Sequence, residues 1–150
     1  MYNYTQEVSS QLNNLLEKNY DAERGYRTAA ENVKNNNLTT YFEKKANERK
    51  SFGKALKGEI KNFGETPKQN GSLTGSVHRA WMNTKSFLSS ETDEAMLEEA
   101  LRGEKSALKE YNEVINSKEI LPKSTTVILE SQRDLILKDA INIKKLEDLQ

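Results

Sequence analysis

Apolar side chains recur at alternating steps of four and three along nearly the whole of this 150-residue chain, interrupted by only two prolines and seven glycines. That rhythm lays a continuous stripe along an α-helix, and such a stripe leaves water only by packing against other helices. The chain is therefore expected to be all-α, a bundle rather than a sandwich of short strands. The first stripe runs through Val8, Leu12, Leu15, Asn19, Ala22, Tyr26, Ala29 and Val33 and predicts a helix over about 5–34. Asn35, Asn36 and Asn37 stop it, because asparagine prefers turns and caps to helix interiors. The second stripe passes through Leu38, Phe42, Ala46, Arg49, Gly53, Leu56, Ile60 and Phe63. Across so short a turn it predicts a helix antiparallel to the first.

Residues 64–75, rich in Gly, Pro, Asn, Ser and Thr, read as a loop. Helical spacing returns through Val77, Trp81, Lys85 and Leu88, predicting a short connecting helix, and Ser89, Ser90, Glu91 and Asp93 mark the capping region of the next one. A third long helix over about 92–116 carries Leu97, Leu101, Glu104, Leu108, Tyr111 and Ile115. A fourth starts near Pro122 with Leu129, Arg133, Ile136, Ala140, Ile143 and Leu146 on one stripe. The second helix spans roughly 39 Å at the usual rise per residue. The segment that follows is long enough to return along it, so the second and third helices run parallel and the two hairpins are joined by one long crossover. Neither hairpin can bury its stripe alone, which makes residues 1–150 a single domain.

Composition narrows the function. Lys plus Arg and Asp plus Glu are 23 each, so no net charge steers the chain toward nucleic acid or an anionic membrane. No run approaches the 18 apolar residues of a membrane span, and the first residues lack the basic start and apolar core of a leader, which points to the cytoplasm. The absence of cysteine removes disulfides, zinc–thiolate and iron–sulfur sites and cysteine nucleophiles. The one histidine, His78, stands beside Arg79 and Trp81, where docking of the connecting helix is its simplest role. No catalytic constellation and no organic-cofactor motif is visible.

Several segments, in order along nearly the whole chain, resemble a family of bacterial ferritin-like four-helix-bundle proteins carried under a domain-of-unknown-function label. They are Glu23-Arg24-Gly25-Tyr26-Arg27 with Ala29-Ala30-Glu31, Glu48-Arg49-Lys50-Ser51-Phe52 with Leu56, and Phe63-Gly64-Glu65-Thr66-Pro67. They continue with Gly75-Ser76-Val77-His78-Arg79-Ala80-Trp81 and with residues 102–111, Arg102 to Tyr111. The resemblance implies a ferritin-like fold without bringing an established activity.

In metal-binding members of that fold, two helices each supply a Glu and the other two each supply a Glu-x-x-His pair. Glu23 and Glu104 match the lone carboxylates, and Glu48 and Glu130 the paired ones. Ser51 and Arg133, however, stand where the histidines belong. The four carboxylates are the candidate ligands of a di-metal centre holding iron or manganese. The competing expectation, with no cofactor, is a polar core layer of Glu23, Glu48, Arg49, Glu104 and Arg133, with Tyr26 or Tyr111 donating hydroxyls and Arg133 paired to Glu104, since a buried carboxylate needs a partner. Two functions follow: a non-enzymatic structural, stress-associated or partner-binding bundle, or a carboxylate-bridged iron protein with storage or ferroxidase activity. Ile128, Leu135, Leu137, Ile141 and Leu149 widen the apolar face of the last helix beyond one seam, so a homodimer through that helix is expected.

Overall fold

The computed structural model describes residues 3–70 and 92–150. These form four helices, α1 (Tyr4–Asn32), α2 (Asn36–Asn62), α3 (Asp93–Ile115) and α4 (Lys123–Asp148), and contain no strand. The proposed connecting helix, with His78 and Trp81, lies outside the described residues.

Each boundary has a local cause. The Asn3 carboxamide accepts from the Gln6 amide at 3.2 Å, and Asn35 caps α2 through the amides of Asn37 and Leu38 at 2.8 and 3.3 Å. Asn36 and Asn37 thus open α2 rather than merely ending α1. At its far end α2 closes on Gly64 at φ +78°, with the Glu65 amide bonded to the Ile60 carbonyl and the Gly64 amide to Lys61. That is a Schellman turn, and its left-handed residue favours glycine. The Thr92 hydroxyl caps α3. Pro122 gives α4 no side-chain cap; the Glu59 carboxylate of α2 instead accepts from the Thr125 and Ser124 hydroxyls in the first turn, placing negative charge at the helix N-terminus.

The hairpins α1–α2 and α3–α4 are antiparallel. Asp93, at the start of α3, accepts from the amides of Lys34 and Asn35 at the start of α2, at 2.8 and 3.0 Å. At the opposite end the Tyr4 hydroxyl reaches the Ile120 carbonyl between α3 and α4. Consequently α2 and α3 run parallel, and the chain must travel the length of the bundle between them. Its first part climbs α1: Asn13 exchanges hydrogen bonds with Thr66 and Lys68, and Tyr20 donates to the Lys68 carbonyl.

The core divides into two apolar clusters. One holds Ala22, Tyr26, Ala29, Phe42, Ala46, Leu97 and Ile143; the other holds Val8, Leu12, Leu15, Leu56, Tyr111, Leu129 and Ile136. Between them, at mid-height, the four stripes become polar.

Candidate functional site

The centre of that polar layer is an ion pair. Arg49 on α2 and Glu104 on α3 are 1% and 0% exposed, and an Arg49 Nη2–H donates to the Glu104 carboxylate. Arg49 Nη1 donates to Asn19 Oδ1 at 3.0 Å; Asn19 Nδ2 donates to the Leu15 carbonyl and to the Tyr111 hydroxyl at 2.9 and 2.8 Å. Tyr111 passes its own proton to Gln132 Oε1 at 2.6 Å, and Gln132 Nε2 donates to the Phe52 carbonyl at 3.2 Å. The relay touches all four helices. Every polar atom of Asn19 is used, which is what keeps a buried carboxamide from destabilising the core.

A second cluster abuts it between α2 and α4. Lys45 Nζ lies 2.7 Å from Asp139 Oδ1 and 3.2 Å from Glu48 Oε2, above the Tyr41 ring. Glu48 and Asp139 thus share one ammonium, and Glu48 Oε1 and Asp139 Oδ2 have no hydrogen-bond partner among the described residues. Burial, and then the neighbouring Asp139 carboxyl, push the Glu48 carboxyl up to about 7 despite the opposing pull of Lys45. Burial also pushes Glu104 upward while Arg49 pulls it back; since a guanidinium stays protonated, the pair is ionic. The Tyr26 hydroxyl faces Glu104 and supports its charged form. Burial raises the Tyr111 hydroxyl to about 12, so it remains a proton donor.

Of the residues expected in one layer, Arg49 and Glu104 come together, and Glu48 stands beside them with Asp139. Glu23 does not join: half-buried on the outer side of α1, it pairs with Arg27 at 3.0 Å. Nor does Arg133, which bonds to Asp134 and Asn112 near the surface, while Glu130 is exposed. The cation opposite Glu104 is therefore Arg49 rather than Arg133. Leu129, Ile136, Ala140 and Ile143 of the expected α4 stripe are all buried; Gln132, rather than its neighbour Arg133, completes the inward face together with Asp139. Asp139, Lys45 and Gln132 were missed. For Gln132 and Asp139 the signal is their four-and-three spacing with Leu129, Ile136 and Ile143 of the apolar stripe itself.

Among the described residues, one group of three acidic side chains converges closely enough for a shared ion. It is Glu94, Glu98 and Glu147, with oxygens within 4.8 Å, at the end of the bundle where α3 begins and α4 finishes. Two of the three are exposed. No described helix is long and apolar enough to cross a membrane.

Among solved structures, the bundle is similar to the bacterioferritin-related protein from Bacteroides fragilis, described as a dodecameric thioferritin, with a TM-score of 0.77 at 16% identity over 97% of this chain and 87% of that one. It is also similar to the DPS protein from Vibrio cholerae O1, described as a member of a broad superfamily of ferritin-like diiron-carboxylate proteins (0.76, 13%, covering 95% and 90%). A ferritin-like, diiron-carboxylate protein from Bacillus anthracis str. Ames matches with 0.70 at 20% identity over 99% of both chains. The fold is thus the ferritin-like four-helix bundle with its long crossover. Residues 7–117 match the family described as Domain of unknown function (DUF2383), and the chain belongs to that family. The match covers α1 to α3 and stops before α4, the helix that supplies Gln132 and Asp139. No curated protein matches the sequence.

Proposed function

We propose that this protein is a cytoplasmic, non-enzymatic ferritin-like bundle, structural or partner-binding, whose mid-layer is held by the chain's own cations in place of a metal pair. The observation that carries this reading is the buried Arg49–Glu104 pair. Three carboxyls, Glu48, Glu104 and Asp139, face two internal cations, Arg49 and Lys45. Glu48, its carboxyl pushed up to about 7, takes up or releases a proton near neutral pH to match the third. The donor set does not suit two metal ions. One Glu104 oxygen is engaged by a guanidinium, an ammonium stands between the other two carboxyls, and the described residues supply no imidazole to the layer. Cations already fixed there would repel a metal ion, and burying further charge is costly.

The partner surface we propose is the outer face of α4, where Leu137 and Ile141, one turn apart, are 48% and 50% exposed. The dodecameric state described for the Bacteroides fragilis protein supports self-association as such; a two-fold dimer through α4 is the simplest form. Elemental analysis of protein purified without a chelating tag, followed by addition of ferrous iron, tests the central reading. Sub-stoichiometric metal and no accelerated iron oxidation are expected. Two ions per chain, lost on Glu104→Gln, would establish the iron-protein alternative instead.

A further inference from the structure

A cleft of about 450 Å³ opens between α1 and α2, its wall including Tyr20, Glu23, Arg49, Lys50, Lys54 and Lys57. Its chemistry is lopsided. Lys50, Lys54 and Lys57 follow one another at steps of four and three, so three ammonium groups occupy one face of α2. Lysines at such spacings repel, a small but real cost when no acid intervenes. Neither Lys50 nor Lys54 has an ion-pair partner among the described residues. Lys57 has only the Tyr20 ring, 5.1 Å from its Nζ. The single carboxylate in the wall, Glu23, is already engaged by Arg27. Arg49 lines the cleft as well, and its buried Nε–H has no acceptor among the described residues. An unpaired donor of a charged group in a buried position is a cost that a ligand oxygen would relieve.

We infer that this cleft binds a compact polyphosphate anion. Three lysines carry more positive charge than one carboxylate ligand neutralises, the Arg49 Nε–H adds a donor although that guanidinium's charge is matched by Glu104, and the volume admits a small solute. A compact solute is favoured over a nucleic-acid backbone because the chain has no net positive charge to steer a polymer. The Tyr20 ring, held by its hydroxyl on the Lys68 carbonyl, forms a fixed side wall. Arg49 belongs both to this cleft and to the central relay, so occupancy there is linked to the core ion pair.

Pyrophosphate, titrated calorimetrically and by thermal unfolding at low salt, is the direct probe. Expected are saturable binding that weakens with salt and a raised melting temperature. Lys50→Gln with Lys54→Gln should weaken the affinity at least tenfold, whereas Lys138→Gln on the exposed face of α4 should leave it unchanged. Both lysines of the double variant are exposed, so its unfolding without pyrophosphate should match the parent, separating lost binding from lost folding. Absence of binding by the parent protein, or equal weakening by the α2 and α4 variants, would overturn the assignment.

Discussion

The two ion clusters of the mid-layer solve the same problem differently. Around Glu104 one acid meets one base, and further donors run through Asn19, Tyr111 and Gln132 to a backbone carbonyl, while Glu104 Oε2 and Arg49 Nε lack hydrogen-bond partners among the described residues. Around Asp139 two acids share one Lys45, two carboxyl oxygens, Glu48 Oε1 and Asp139 Oδ2, lack partners among the described residues, and Glu48 is only half-buried. The first cluster is a one-to-one charge pair with a guanidinium that stays protonated; the second holds one acid more than its base, and the Glu48 carboxyl, pushed up to about 7, exchanges a proton near neutral pH. Where burial is complete the chain supplies a matched charge, and where water is near it leaves one charge to solution.

The sharpest way to break the contrast is at its matched half. Glu104→Leu strands Arg49 in the core and should cost about 3 to 5 kcal/mol, whereas Glu104→Leu combined with Arg49→Met should recover most of that loss. Urea unfolding of both variants checks it, and a neutral single substitution would show that the pair is not what holds the layer. Tyr111→Phe removes the link between Asn19 and Gln132 and should cost about 1 to 3 kcal/mol by the same measurement.

The unmatched half predicts a pH dependence with a definite sign. The folded Glu48 carboxyl titrates near 7, above its ordinary 4.5, so the folded state binds the proton more tightly. Its stabilising contribution is fully present below about 4.5 and is lost as pH rises through 7. After solvent screening of this partly exposed group the change is about 1 kcal/mol. Chemical unfolding at pH 5 and pH 8 should show it, and Glu48→Gln should flatten it. A smaller effect on folding comes from Leu137→Glu, within about 0.5 kcal/mol for an exposed position. Its readout is light scattering over a concentration series, where the variant should stay monomeric while the parent associates.

The stripes of α1, α2 and α3 were readable because few residues competed for their inward positions. Asn19, Arg49 and Glu104 stand out as polar interruptions of otherwise apolar series, and the structure buries all three. On α4 two equally regular series share Leu129, Ile136 and Ile143 and differ only at 132 against 133 and 139 against 140, and sequence spacing alone does not choose between them. Arg133 next to Ile136 reads much as Gln132 does, yet Gln132 is buried on the Tyr111 hydroxyl and the Phe52 carbonyl, and Asp139 is buried together with Ala140. Lys45 was hidden for a related reason, since a lysine beside Glu43 and Lys44 looks like part of a solvated face, and its tip finds Asp139 ninety-four positions away.

Whether internal cations replace metal is tested most directly by unfolding the purified protein after exhaustive chelation, with and without two equivalents of ferrous or manganous ion per chain. The account predicts superimposable curves, because Arg49 and Lys45 already face the three carboxyls of the layer and Glu48 takes up or releases a proton to match the third. A midpoint raised by the metal, and no longer raised once Glu48→Gln and Asp139→Asn are introduced, would contradict it.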